Sequence, residues 1–247
     1  MNERPKKAGS PAAPPQVTFV TEEEPSPEFG CLIPVSLRRR EGKTEIACLE
    51  ELLGFARRFA DEYAPDLFSD AALGYLYREM GLYGKKRGYA YEDAWEELVY
   101  RHFILTAEEG KRVTSAIGAP GVIPEPIRLT RSLLKLNKEN LTGFDFGELV
   151  ENDLCGYVTL LDGRIVSAAC DNFGDGLCEA AIETAEGYRR KGYAFANALA
   201  LIAELSARGQ AVSYVCGQNN APSIALARKL GFREDGESFY CVLYEEE

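Results

Sequence analysis

The sequence predicts an α+β fold: a mixed, mostly antiparallel sheet flanked by helices, with a helical N-terminal subdomain ahead of it. Two observations lead there. From residue 127 onward, short β-branched segments alternate with two apolar helical stretches, each closed by a glycine. Between residues 44 and 118, apolar side chains recur instead at three-to-four spacing. With 247 residues and 46% apolar content, the chain can build a sizeable core. Its formal charge of -11 disfavours nucleic acid and anionic membranes as partners, because phosphate binding needs clustered cations. The cysteines number seven and contain no CxxC pair, which argues against a disulfide framework and against a zinc site; no metal is expected. No stretch is apolar and long enough to span a membrane, and the N-terminal residues lack the apolar segment of a secretory leader. A cytoplasmic location is the expectation.

Taken in order, residues 1–15 read as a flexible tail rich in Pro, Ala and Lys. Strands are expected at 17–20 and 31–35, with a solvated turn at 37–43. Thr44 is placed as the cap of a helix in which Ile46, Leu49, Leu53, Ala56, Ala60 and Tyr63 share a face. Ser69 and Gly81 bracket a second helix as cap and stop. Trp95, Leu98, Val99 and His102 suggest a third. Thr106 and Glu109 form a capping box for a fourth, ending near Gly118. The subdomain therefore runs over 16–125, with the Pro- and Gly-rich stretch 118–126 as linker. The second domain, 126–247, opens with a strand at 127–131. A hairpin turning at Asp162-Gly163 follows, then a strand at 177–184. A helix at 193–208 stops at Gly209, with Asn197, Glu204 and Arg208 as a narrow polar stripe. A strand at 211–216, a helix closed by Gly231 and a strand at 238–244 complete the chain.

One stretch runs against the acidic background. Arg189, Arg190 and Lys191 stand directly before Gly192 and an almost wholly apolar helix. A buried helix aims its unpaired N–H groups and the positive end of its dipole at what precedes it. Cations there oppose the dipole by about 0.3–1 kcal/mol each, so the arrangement makes sense with an anion between them. Gly192 allows close backbone approach, and Ala194 keeps the next turn thin. A phosphate or diphosphate is the expected occupant. The stretch is not a P-loop, since no Gly-Lys-Ser/Thr follows, and it lacks the glycines of the dinucleotide fingerprint.

The run Arg189-Arg190-Lys191-Gly192-Tyr193-Ala194 resembles the acyl-CoA-binding loop of the GCN5-related N-acetyltransferases (GNAT). Downstream, Asn220, Ser223 and Lys229-Leu230-Gly231-Phe232 resemble the second motif of that superfamily, one helix and one strand later. The resemblance covers about residues 127–247. "GRIVSAACDN" and "NNAPSIALARKLGF" look most like the branch that contains the zwittermicin A resistance acetyltransferase. The resemblance implies that acetyl-CoA lies where the strands at 177–184 and 211–216 splay apart. Its diphosphate would be held by residues 189–194 and its pantetheine by the backbone at Ile182 and Thr184, with Asn220 facing it. It further implies direct transfer of acetyl to a primary amine, and homodimers are common in the family.

An alkyl ammonium, with a pKa of about 10, needs to lose a proton before it attacks. Glu179 and Glu183 lie on one face of the same strand, and Glu183 is the favoured base. The departing thiolate needs a proton donor. The family often places a tyrosine four residues before the Gly-Phe of the second motif, but here that position is Ala227. Ser223 is the chosen substitute, with Tyr214 and Tyr240 as alternatives. His102 reads as a packed residue, Cys178 and Cys216 as core filling, and Lys229 as a surface lysine. Three functions fit: an N-acetyltransferase acting on a small polyamine-like or antibiotic amine, one acting on a protein or peptide, and a CoA-binding sensor with impaired catalysis.

Overall fold

The structure, a computed structural model, describes residues 16–23, 30–117, 124–138, 141, 146–152, 154–173 and 178–246. The tail expected at 1–15 and most of the linker expected at 118–126 lie outside these residues. In chain order the elements are β1 (Gln16–Glu22), β2 (Cys31–Leu32), β3 (Val35–Arg40), β4 (Lys43–Leu49), α1 (Leu53–Tyr63), α2 (Asp70–Lys85) and β5 (Tyr89–Ala90). Then come β6 (Val99–Leu105), α3 (Ala107–Ile117), β7 (Ile127–Arg128), β8 (Asn137–Lys138), α4 (Phe146–Glu151), β9 (Gly156–Leu161) and β10 (Arg164–Phe173). The last are β11 (Cys178–Thr184), α5 (Tyr193–Ala207), β12 (Val212–Gly217), α6 (Ala221–Lys229), β13 (Arg233–Tyr240) and β14 (Leu243–Glu245). They form two compact units, Met1–Val99 with Glu237–Glu247, and Tyr100–Gly236. The sequence reading set its boundary at 125/126. Composition marks where a chain is irregular, whereas these units change inside β6 and β13.

In the first unit, β3 and β4 form a hairpin that pairs Val35 with Cys48 and Arg40 with Lys43. Its turn residues Glu41 and Gly42 have φ of 50° and 74°, the left-handed pair of a two-residue hairpin turn. β1 runs parallel to β4, and Glu237–Tyr240 runs antiparallel to β3. A second small sheet has the order β2-β14-β5. The helix expected from Thr44 is therefore corrected: residues 43–49 are strand. Thr44 and Ile46 are buried while Lys43 and Glu45 are exposed, a period of two. The helical spacing holds only from Leu53, where α1 buries Ala56, Phe59 and Ala60. Ser69 does cap α2, its Oγ accepting from the Ala72 N–H at 3.4 Å. Gly81 does not stop α2, which continues to Lys85. A Cβ at Gly81 would stand 3.3 Å from the Tyr91 ring, so this glycine serves packing. Leu37, Ile46, Phe59, Leu76 and Phe239 centre the core of the unit.

In the second unit the sheet order from the Tyr100–Leu105 part of β6 is β6-β12-β11-β10-β9-β7, with β8 also beside β10. The β11–β12 and β8–β10 pairs are parallel and the other pairs antiparallel, so the mixed α+β sheet flanked by helices stands as expected. The hairpin turn at Asp162-Gly163 has φ of 48° and 75°. The helix expected through Trp95 and His102 is instead one 3-10 turn, Trp95–Leu98, followed by β6. Short apolar runs fit both periods, and residues 100–105, with β-branched and aromatic side chains among them, pair with β12. Region 44–118 thus mixes strands with helices. The strand expected at 127–131 shrinks to β7, and that at 238–244 breaks between β13 and β14.

The helix ends at Thr106, Gly209 and Gly231 were read correctly. The Thr106 N–H and hydroxyl each donate to Glu109 Oε2 at 2.8 Å, and the Glu109 N–H returns to Thr106 Oγ1 at 3.3 Å. After α5, Gly209 has φ of 80°, its N–H donates to Ser206 O, and the Gln210 N–H donates to Leu205 O. After α6, Gly231 and Phe232 repeat the pattern on Arg228 and Ala227. The polar stripe of α5 is only half right. Glu204 reaches Arg128 and Tyr157, but Asn197 is fully buried.

Candidate active site

The site begins where two strands part. β11 and β12 pair only at Cys178–Val212 and Glu179–Ser213. Beyond that point, the β12-facing edge of β11 has no sheet partner among the described residues, while its other edge stays on β10. Ala185 donates its N–H to Val166 O at 3.0 Å, which sets the alternation of the antiparallel ladder. The main-chain groups of residues 181 and 183 face β10, so those of Ile182 and Thr184 face the gap.

The loop that follows is shaped by two left-handed residues. Arg190 has φ of 59°, and Gly192, the N-cap of α5, has φ of 89°. Gly192 supplies no side-chain cap, and the first intrahelical bond runs from the Ala196 N–H to Gly192 O at 3.0 Å. The N–H groups of Tyr193, Ala194 and Phe195 therefore have no intrahelical acceptor. They stand at the positive end of a helix that is mostly buried. Arg189 Nε donates to the outward carbonyl of Thr184 at 3.1 Å, tying loop to strand.

These parts enclose a cavity of about 990 Å³. The strand contributes Ile182, Glu183 and Thr184. The loop and α5 contribute Arg189, Arg190, Gly192, Tyr193 and Ala194, and the opposite wall contributes Tyr214, Asn220 and Ser223. Most residues singled out in the sequence thus meet in one place. Two do not line it. Lys191 turns to the Tyr188 ring, its Nζ 5.2 Å from the centroid, and Glu179 lies on the part of β11 still paired with β12. Tyr240 belongs to the first unit and is not a lining residue.

On the opposite wall, Asn220 caps α6 by accepting from the Ser223 N–H at 3.2 Å. Tyr214 is nearly buried. Burial pushes its phenol up, and a hydrogen bond with the Ser223 side chain pulls the other way. The two named substitutes for the missing tyrosine are therefore partners. Ala227 is fully buried with Leu230 and Phe232. Lys229, read as a surface lysine, lines the cavity with its Nζ 4.3 Å from the centre of the Phe195 ring. Lys229 already stood in the second motif read from the sequence; the approach of Phe195 is tertiary, and no local pattern shows it.

Cys178 and Cys216 are buried, and burial pushes both thiols up, Cys178 to about 11, so neither is a thiolate nucleophile at neutral pH. His102 is half-buried in β6 opposite Val215. Among the described residues, no cluster of three or more His, Cys, Asp or Glu side chains could hold a metal ion. No helix among them is long and apolar enough to cross a membrane.

Residues 144–240 match the GNAT acetyltransferase family. A solved Drosophila protein has the same fold, with a TM-score of 0.51 and 16% identity over 70% of this chain and 58% of that one. A GNAT-family protein from Novosphingobium aromaticivorans is 20% identical over 60% of this chain, with a TM-score of 0.43. A GCN5-related N-acetyltransferase-like protein from Streptococcus suis is 24% identical over 61%, with a TM-score of 0.42. The matches span 66% and 64% of those two chains. No curated protein matches the chain. Residues 144–240, which carry the splayed strands and the glycine-entered helix, are thus the part of the chain that is similar to the GNAT acetyltransferase family.

Proposed function

We propose that this protein transfers an acetyl group from acetyl-CoA directly to a primary amine of a small molecule. The observation that supports this most is one cavity holding both the open edge of β11 and the uncapped N-terminus of α5. Those two features match the two chemistries of CoA. The amides of Tyr193, Ala194 and Phe195 bind its diphosphate, helped by Arg189 and Arg190. Lys191, turned to Tyr188, adds only longer-range charge. The outward main-chain groups of Ile182 and Thr184 pair with the amides of the pantetheine arm as an added half-strand. Asn220 and Ser223 close the other side. Acetyl-CoA, when bound, supplies the thioester acyl group.

The chain's own residues then handle protons. Glu183, on the cavity wall, takes the proton that the ammonium must lose; Glu179 is left as a second carboxylate on the same strand. As the C–N bond forms and the C–S bond breaks, the nitrogen loses its second proton to solvent and Tyr214 gives its proton to the departing sulfur, with Ser223 orienting the phenol. Solvent restores that proton. No covalent bond to the protein is formed.

For the acceptor we favour a cationic, polyamine-like or antibiotic amine, on the strength of the acidic chain and the likeness to the zwittermicin A resistance branch. The same reading places the protein in the reducing cytoplasm, as a homodimer. Calorimetry with CoA, then thiol release from acetyl-CoA across polyamines, aminoglycosides and peptides, tests it. Uptake of CoA with amine-dependent thiol release is the expected result. Tight uptake without turnover would leave a sensor, turnover with peptides alone would reassign the acceptor, and no uptake would end the proposal.

A further inference from the structure

A chain of buried polar side chains runs from the middle of the second unit to the cavity wall. Thr159 on β9 donates its hydroxyl to Asn197 Oδ1 at 3.1 Å, and Asn197 Nδ2 donates to Ser167 Oγ at 3.1 Å. Ser167 Oγ lies 2.7 Å from Thr184 Oγ1 and 3.0 Å from the Glu183 carbonyl oxygen. Thr159, Ser167 and Asn197 are each 0% exposed. Ser167 has one proton to give and receives one from Asn197. If it donates to the Glu183 carbonyl, Thr184 donates to it; in either arrangement the Thr184 hydroxyl is held against Ser167.

Apolar side chains of similar volume often serve stability as well as a buried polar chain does, whereas a fully satisfied polar chain fixes the relative placement of the elements it joins. Asn197 sits on α5, the helix whose N-terminal amides form one end of the cavity, while Glu183 and Thr184 end the strand that forms another wall. A shift in register between Ile165 and Ser167 marks the place on β10 from which the link departs. A ligand that touches only the helix end is indifferent to the spacing of these walls. A ligand that spans both is not.

We propose that Asn197, acting through Ser167, is a positioning residue that holds the end of β11 at a fixed spacing from α5, so that the cavity favours a ligand carrying an amide-bearing arm beyond its diphosphate. This rests on the acyl-CoA reading above. The test compares CoA with ADP, which carries the diphosphate but no pantetheine, by calorimetry on the full chain. Ser167→Ala breaks the link at its centre. Asn197→Leu, similar in volume, removes the donor to Ser167 and decides the matter should the first variant fail to fold. In folded variants the CoA dissociation constant is expected to rise about tenfold, with that of ADP within about twofold. CoA and ADP weakened together, or CoA affinity unchanged in a folded variant, would overturn the positioning role while leaving the acyl-CoA reading intact. A wild-type chain that takes up no CoA removes that reading, and this inference with it.

Discussion

At the scale of single residues, Gly192 is where sequence and site chemistry meet. Its φ of 89° suits glycine, and a β-branched replacement would have to leave that region or bear about 1–2 kcal/mol of strain. Gly192→Val should therefore weaken CoA binding by about tenfold or more in calorimetry, while Gly209, at the far end of α5 with open space around its Cα, gives no such effect when replaced by Asn. The Tyr214–Ser223 pair makes a separable prediction. Tyr214→Phe should lower kcat by about a hundredfold with the CoA dissociation constant nearly unchanged, because the phenol is used only when the sulfur leaves. A loss of binding without a loss of kcat would place Tyr214 in the cofactor wall instead. The loop at 189–194 was legible because helix dipole, glycine and cations are local in sequence. The tyrosine–serine pair was not, since its members stand on different elements and only named alternatives joined them.

At the scale of elements, α3 and α5 come together at Gly110. A Cβ there would lie 1.9 Å from Ser206 Oγ, and the buried Ser206 hydroxyl has no hydrogen-bond partner among the described residues. Gly110→Ala should cost about 1–3 kcal/mol in denaturant unfolding. Ser206→Ala should be neutral or stabilising, and the double variant should recover part of the loss. Additive costs would show that the two helices do not meet in this way. The capping and stop signals at Ser69, Thr106, Gly209 and Gly231 held because each is satisfied within a few residues, whereas those at Thr44 and Gly81 did not. The errors at Thr44 and at Trp95–His102 share one cause. Each short segment places a few apolar residues at spacings that satisfy a helix as readily as a strand until the pairing partner is known.

Across the second unit, Glu204 is met by two cations and a phenol. Arg128 Nε lies 3.1 Å away, the Tyr157 hydroxyl donates at 2.9 Å, and Arg208 pairs with it one turn on. Desolvation pushes the carboxyl up, but the hydrogen bonds from Arg128, Cys155 and Tyr157 and the charge of Arg128 outweigh it and hold the group at about 2, against 4.5 when free. A folded-state pKa below the unfolded one stabilises the protein above about pH 4.5, and that contribution is lost as pH falls toward 2. Unfolding free energy measured from pH 6 to pH 3 should fall more steeply in the wild type than in Glu204→Gln, and the curves should converge at low pH; parallel curves would refute this role. Across the whole chain, six of the seven cysteines are buried, Cys31 being the exception. Burial pushes Cys155, Cys170 and Cys241 to about 12. A thiol reagent should therefore label Cys31 alone in the native state and all seven after denaturation.

By itself the sequence determined the class of the fold, the ends of its later helices and the loop built for an anion, because each depends on groups close together along the chain. Tertiary structure alone decided the sheet pairing of residues 43–49 and 99–105, the union of Tyr214 with Ser223, and the burial of Asn197. The reason is the same in each case. A strand acquires its identity, and a buried polar group its partner, only from residues far away in the chain, and no local pattern of side chains encodes which ones arrive.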